Sequence, residues 1–262
     1  MKLNRLINRA KYEVASLRYM PEDKKVKKLI AGADKPVYYY HIRKTAGTTV
    51  NYAFLQYCQA QDMDEFFEVL ARKPNNRLVC DKKVFVGWNV RLINKAKYSY
   101  AFSHTPYHRL KIPSNVFTFT CFRDPAKRIV SLYNYLRNFQ VNNIYHPCMK
   151  REEPWLGNSF DDFLNNIPKA HLKNQLYMFS DKFDINEAYD RIMGLDYFFS
   201  TSQISEGLGE LEQRLNWKLP VTRRNKSGYS EDISNQQLER LRQMLEDEYM
   251  LIDQLNMKGN PF

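Results

Sequence analysis

The sequence predicts an α/β domain of three layers, with a central parallel sheet flanked by helices and additional helices toward the C-terminus. Three observations lead there. Val37 to Ile42, Tyr98 to Ser103 and Val116 to Phe122 are short runs rich in aromatic and β-branched residues. The first and third run into short loops that open helical patterns, the strand–loop–helix order of parallel sheets. From Phe160 onward helical periodicity dominates, broken only by the strand-like Tyr197 to Thr201.

Taken in order, Leu3, Leu6, Ile7, Ala10, Val14 and Leu17 form one helical stripe, followed by the basic run Lys24, Lys25, Lys27 and Lys28. Residues 1–34 thus read as a basic amphipathic helix with its lead-in, and residues 35–262 as one domain without repeats or a dividing linker. After the first strand come a tight loop and the apolar helix VNYAFLQYC, then a second helix from Asp62 to Ala71. After the third strand, Asp124 is a natural N-cap and Pro125 fits the first helical position, so a helix runs to about Asn138. The last helix opens on the capping box Ser234 to Gln237 and buries Leu238, Leu241, Leu245, Ile252 and Leu255.

Composition narrows the function classes. At 44% apolar and 14% aromatic residues, the chain buries too much surface to be disordered. Nine Gly and 11 Pro exclude collagen-like and low-complexity readings. Forty Lys and Arg against 29 Asp and Glu give +11, which calls for an anionic partner: nucleic acid, membrane surface, nucleotide or acidic polymer. Nine of the basic and three of the acidic residues fall within residues 1–28, so over half of the excess is there. No apolar run approaches the roughly 20 residues that span a bilayer. The charged N-terminus lacks the apolar segment of a secretory signal. Cys58, Cys80, Cys121 and Cys148 show neither CxxC nor zinc spacing, so reduced structural thiols and no metal are expected. A cytoplasmic location follows, and a lumenal one only for a fragment cut from its anchor.

The most informative segment is His41-Ile-Arg-Lys-Thr-Ala-Gly-Thr-Thr49. A loop at a helix N-terminus offers free N–H groups where the helix dipole favours anions. Lys44 adds a full charge, Gly47 close backbone approach, and Thr45, Thr48 and Thr49 hydroxyls. The unit is P-loop-like without being a Walker A loop: Lys44 precedes Gly47, and no earlier Gly is present. That weakens the case for Mg²⁺-dependent nucleotide chemistry. In the second segment, VFTFTCFRDPAKRIVSLYNYL, Arg123 ends the strand and Ser131 lies seven residues after Asp124, about two turns on. Both can face one point above the strand's C-terminal edge, where ligands of open α/β sheets collect.

Together the two segments resemble the nucleotide-binding signatures of sulfotransferases that use 3′-phosphoadenosine 5′-phosphosulfate (PAPS), and most of all the carbohydrate branch with the heparan sulfate 2-O- and 6-O-sulfotransferases. That branch reads His-Ile-Pro-Lys-Thr-Gly-Gly-Thr-Thr in the first loop and Arg-Asp-Pro with Ser eight residues after the Arg in the second. Here Arg43 stands for the Pro and Ala46 for the first Gly, the latter narrowing backbone freedom. The resemblance implies that residues 43–49 grip the 5′-phosphosulfate, with Lys44 steadying charge on the leaving phosphate, and that Arg123 and Ser131 bind the 3′-phosphate. It also implies that Arg224, Asn225, Lys226 and Ser227 form a late loop on the 3′-phosphate or adenine, and that Asn174 and Gln175 line the site.

Sulfuryl transfer needs a base for the acceptor hydroxyl. His104, directly after a strand and three residues before Tyr107, matches the family's catalytic His in position; His108 is the rival, and a carboxylate is a further alternative. His41 reads as structural, and His146 and His171 as surface or packing residues. The expected activity is sulfuryl transfer from PAPS to a hydroxyl, most of all of a carbohydrate, without a metal. The alternatives are a P-loop-type small-molecule kinase and a binder of nucleic acid or anionic surfaces through residues 1–28.

Overall fold

The computed structural model describes residues 35–56, 63–72, 77–80, 82–220 and 229–256. The N-terminal stripe, its lysine run, Cys58 and the predicted contacts Arg224, Asn225, Lys226 and Ser227 lie outside the described residues.

Six strands form one sheet: β1 (Val37–Tyr40), β2 (Leu78–Cys80), β3 (Lys83–Gly87), β4 (Tyr100–Ser103), β5 (Phe117–Phe122) and β6 (Tyr197–Ser200). Their spatial order is β2-β3-β4-β1-β5-β6, and all neighbours are parallel except the antiparallel pair β2 and β3. The α/β class with a mostly parallel, helix-flanked sheet is therefore as the sequence predicts. β2 and β3 are not among the predicted strands. Both are short, and the two lysines of Lys82 and Lys83 break the apolar pattern between them.

The helices are α1 (Gly47–Leu55), α2 (Met63–Arg72), α3 (Val90–Ile93), α4 (Pro125–Val141), α5 (Met149–Leu156), α6 (Phe160–Asn166), α7 (Lys169–Leu172), α8 (Asn174–Phe179), α9 (Ile185–Met193), α10 (Ile204–Leu215), α11 (Asn235–Met244) and α12 (Glu246–Asn256). Alternation along β1 sends Val37 and Tyr39 to one face and Tyr38 and Tyr40 to the other. The first face packs Phe54, Leu70 and Leu211 of α1, α2 and α10. The second packs Leu176, Ile192, Leu251 and Leu255 of α8, α9 and α12. Phe54 and Tyr100 stack at 4.0 Å between ring centres, an aromatic pair worth about 1 kcal/mol beyond its burial. A third cluster, around Tyr133, Trp155, Phe163 and Leu241, joins α4 to α5, α6 and α11.

The single C-terminal helix that the sequence predicts is two. The Ser234–Gln237 capping box is present, but the chain leaves helical geometry at Leu245, with φ −105° and ψ 11°. The break rotates the buried face, so that Leu251 rather than Ile252 joins Leu255 inside, and it brings the carboxylate of Glu248 into the interior. Among the described residues no helix is long and apolar enough to cross a membrane.

Candidate active site

β1 lies between β4 and β5 in matched register, Tyr40 facing Ser103 on one side and Thr120 on the other. The residues that follow these strands therefore emerge together, at the switch point where ligands of such sheets sit. The loop after β1, His104 after β4 and Arg123 after β5 meet at this edge.

The first loop is a strained turn whose donors point outward from the fold's own bonding. Lys44 and Ala46 both have positive φ, 67° and 57°, a conformation that costs a non-glycine residue about 1–3 kcal/mol. Ala46 is the N-cap of α1, with no side-chain cap and no acidic residue in the first turn. The first helical bond runs from the Val50 N–H to the Ala46 carbonyl at 3.1 Å. The N–H groups of Gly47, Thr48 and Thr49 thus have no partner among the described residues, and neither do the hydroxyls of Thr48 and Thr49. Gly47 is fixed by its neighbour: a Cβ there would lie 1.5 Å from Nε2 of His41.

Two expected contacts are committed elsewhere. The buried Thr45 hydroxyl donates to the Ile42 carbonyl at 2.9 Å, so it braces the loop rather than offering a proton to a ligand. The Arg43 guanidinium closes on Glu152 through two bonds of 2.5 and 2.9 Å. What Arg43 lends the site is charge at a distance. Its backbone N–H goes to Oδ1 of Asn174 at 3.3 Å.

Lys44 has no carboxylate partner among the described residues. Its Nζ lies 4.1 Å from the centre of the Tyr135 ring. Burial, reinforced by the charges of Arg123 and Arg43, lowers its pKa to about 8. Tyr135 is one turn beyond Ser131 on α4, so this contact turns the Ser131 face of α4 toward the loop. The half-buried Ser131 hydroxyl has no partner among the described residues. Arg123 donates from Nη1 to the Lys44 carbonyl at 3.2 Å and from its backbone N–H to Oε1 of Gln175 at 2.8 Å. Below it, Asp124 caps α4 by accepting from the Lys127 N–H at 2.7 Å, with Pro125 at the first position.

The structure separates the two histidines. Nδ1 of His104 lies 2.6 Å from the His41 carbonyl, with the two rings 4.3 Å apart. A carbonyl only accepts, so Nδ1 carries the hydrogen and Nε2 keeps the lone pair. Burial first, then the charge of Arg43, lowers the His104 pKa to about 4. His108 sits in the 3₁₀ turn Tyr107–Arg109, its ring edge-on to Tyr177 at 5.5 Å. Among the described residues nothing joins it to the loop.

Several residues of the site give no sequence signal. Glu152 is one carboxylate on a charged helix, recognisable only by its pairing with Arg43. His171 stacks on Trp155 at 5.4 Å and lies within electrostatic reach of Arg43 and Glu152. Beside Tyr135, Nδ1 of His146 lies 2.8 Å from Sγ of Cys148, whose thiol burial pushes up to about 12. Cys121 and Cys148 are free thiols. Among the described residues no group of three or more His, Cys, Asp or Glu could hold a metal ion.

Residues 28–252 match the model of a family described as the sulfotransferase family. None of the curated proteins is significantly similar in sequence. Among solved structures, the chain is similar to mouse sulfotransferase SULT7A1 complexed with PAP, at 13% identity, covering 86% of this chain and 70% of that one, with a TM-score of 0.30. That likeness is too distant to bear on the site.

Proposed function

This chain belongs to the sulfotransferase family, and we propose that it moves the sulfuryl group of PAPS to a hydroxyl of a carbohydrate acceptor. The observation that carries the proposal is the meeting, at one sheet edge, of a helix end with unspent donors and an imidazole held neutral. Membership of the family removes the ground for the kinase alternative; residues 1–27, which carry most of the basic segment behind the binding alternative, lie outside the match.

The residues fit an anionic nucleotide with phosphates at both ends. The N–H groups of Gly47, Thr48 and Thr49, the hydroxyls of Thr48 and Thr49, and Lys44 would hold the 5′-phosphosulfate. Arg123 and Ser131 would hold the 3′-phosphate; Arg224, Asn225, Lys226 and Ser227, expected on the 3′-phosphate or adenine, lie outside the described residues. Bound there, PAPS supplies the sulfuryl group and leaves as 3′-phosphoadenosine 5′-phosphate (PAP).

The chain's own part is electrostatic and acid–base. Below pH 8 Lys44 is an ammonium, placed to stabilise negative charge growing on the leaving phosphate oxygen. At neutral pH His104 is an uncharged imidazole, and its Nε2 takes the acceptor's hydroxyl proton as the oxygen–sulfur bond forms. The His41 carbonyl, already on Nδ1, stabilises the imidazolium that results. The carbohydrate assignment rests on the likeness of both loops to the heparan sulfate branch.

The test is transfer of radiolabelled sulfate from PAPS onto a panel of glycans. Wild type is expected to label at least one glycan class. His104→Ala should lose about 10²–10⁴-fold in rate and Lys44→Ala about 10²–10³-fold, with His108→Ala unchanged. Full activity in Lys44→Ala would overturn the loop's role. Labelling of a non-carbohydrate acceptor alone would overturn the carbohydrate assignment and leave the donor chemistry intact.

A further inference from the structure

We infer that Asn174 and Gln175, adjacent at the start of α8, are positioning residues that set the spacing between the two phosphate-binding loops, each amide governing one end of the nucleotide. The inference rests on the proposed donor and goes beyond it. It assigns a job to two side chains that contact no reacting atom.

The geometry is a closed circuit. Asn174 accepts from the Arg43 N–H in the first loop, and Gln175 accepts from the Arg123 N–H in the second. Arg123 returns to the first loop through its 3.2 Å bond to the Lys44 carbonyl. Two consecutive residues therefore hold one backbone donor from each loop, and the loops hold each other.

Neither amide is free to turn over. Nδ2 of Asn174 donates to the Ala170 carbonyl at 3.1 Å, leaving Oδ1 for Arg43. Nε2 of Gln175 faces Oε2 of Glu248 at 3.4 Å, and a carboxylate only accepts, so Oε1 must face Arg123. Glu248 also accepts from the N–H groups of Gln175 and Leu176, at 2.6 and 3.1 Å, in place of a local N-cap for α8. It is fully buried, 3.6 Å from the equally buried Arg128, which donates to the carbonyls of His171 and Leu172. The pair is thus anchored to α4 and α12 and cannot follow a loop that shifts.

A residue that only supports the fold would weaken every ligand alike. A residue that sets one loop would weaken the phosphate that loop holds. Calorimetric titration of PAP and of adenosine 5′-phosphate (AMP), which lacks the 3′-phosphate, separates these. Wild type is expected to bind PAP well above AMP. Gln175→Leu, or Gln175→Met if the first does not fold, should weaken PAP about tenfold or more and AMP less than threefold, collapsing the preference. Asn174→Leu should weaken both about equally and keep the preference, because both ligands carry the 5′-phosphate. Asn174→Asp retains an acceptor for the Arg43 N–H but sets a second acceptor against the Ala170 carbonyl, so it should recover only part of that loss. Uniform loss of both ligands in Gln175→Leu and Gln175→Met, or unchanged PAP affinity in either, would overturn the inference while wild-type binding upheld the donor. Failure of wild type to bind PAP at all would instead overturn the donor assignment, and this inference with it.

Discussion

The two strand–loop–helix units at the active edge begin alike and end differently. After β5 the chain enters α4 through Asp124, whose carboxylate accepts from the Lys127 N–H, while the Tyr249 hydroxyl takes the Ala126 N–H and Pro125 removes one more donor. After β1 it enters α1 through Ala46, left-handed and without a side-chain cap, and three N–H groups stay unspent among the described residues. One helix end is closed by its own acid. The other is left for a ligand's. The second unit can therefore offer only side chains, Arg123 and Ser131, while the first offers backbone, hydroxyls and an ammonium. An anion-binding helix end is recognised less by the loop's glycine than by the absence of a residue that would cap it.

The sharpest way to break this contrast is at Gly47. Gly47→Ala drives a methyl into His41, so it should abolish PAP binding and lower Tm by several degrees, read by calorimetry. Next, Ala46→Asp would make the first unit resemble the second, setting a carboxylate against the spare donors. PAP affinity should fall at least tenfold with the fold intact. Ala46→Gly works the other way. It relieves a strained φ and should stabilise by about 1 kcal/mol, raising Tm by about 2–4 °C. Asp124→Ala should cost about 1 kcal/mol of cap energy and barely change PAP affinity.

Acid and base limbs test the charges. His104 is lowered from 6.5 to about 4, so kcat/KM should stay high down to near pH 4 rather than fall at 6.5. Stability should decline as pH falls from 6.5 toward 4, where the unfolded chain binds the proton and the folded one resists it; His104→Asn should flatten that slope. Lys44 loses its proton near pH 8, so kcat/KM should fall as pH rises through that value. PAP binding at pH 9 should then take up a proton that Lys44→Met does not.

Much of this site was legible because it is local. Strand, loop and helix start lie within one stretch from Val37 to Leu55, and the Asp124–Pro125 start within two residues. What the sequence hid is what it assembles from afar. Glu152 meets Arg43 across 109 positions, and Glu248 meets Gln175 across 73. No local pattern marks such partners. Arg43 shows the effect most plainly: as a basic residue in an anion loop it reads as a ligand contact, yet its guanidinium is closed on a carboxylate from α5. Thr45 errs the same way, its hydroxyl turned inward to Ile42.

The central claim is that the open end of α1 receives the nucleotide's 5′ anion. It is tested most directly by calorimetric titration of PAP into wild type and Ala46→Asp at pH 7. PAP should bind wild type and lose at least tenfold in affinity for the variant at unchanged Tm. Equal affinity in the two proteins would contradict it.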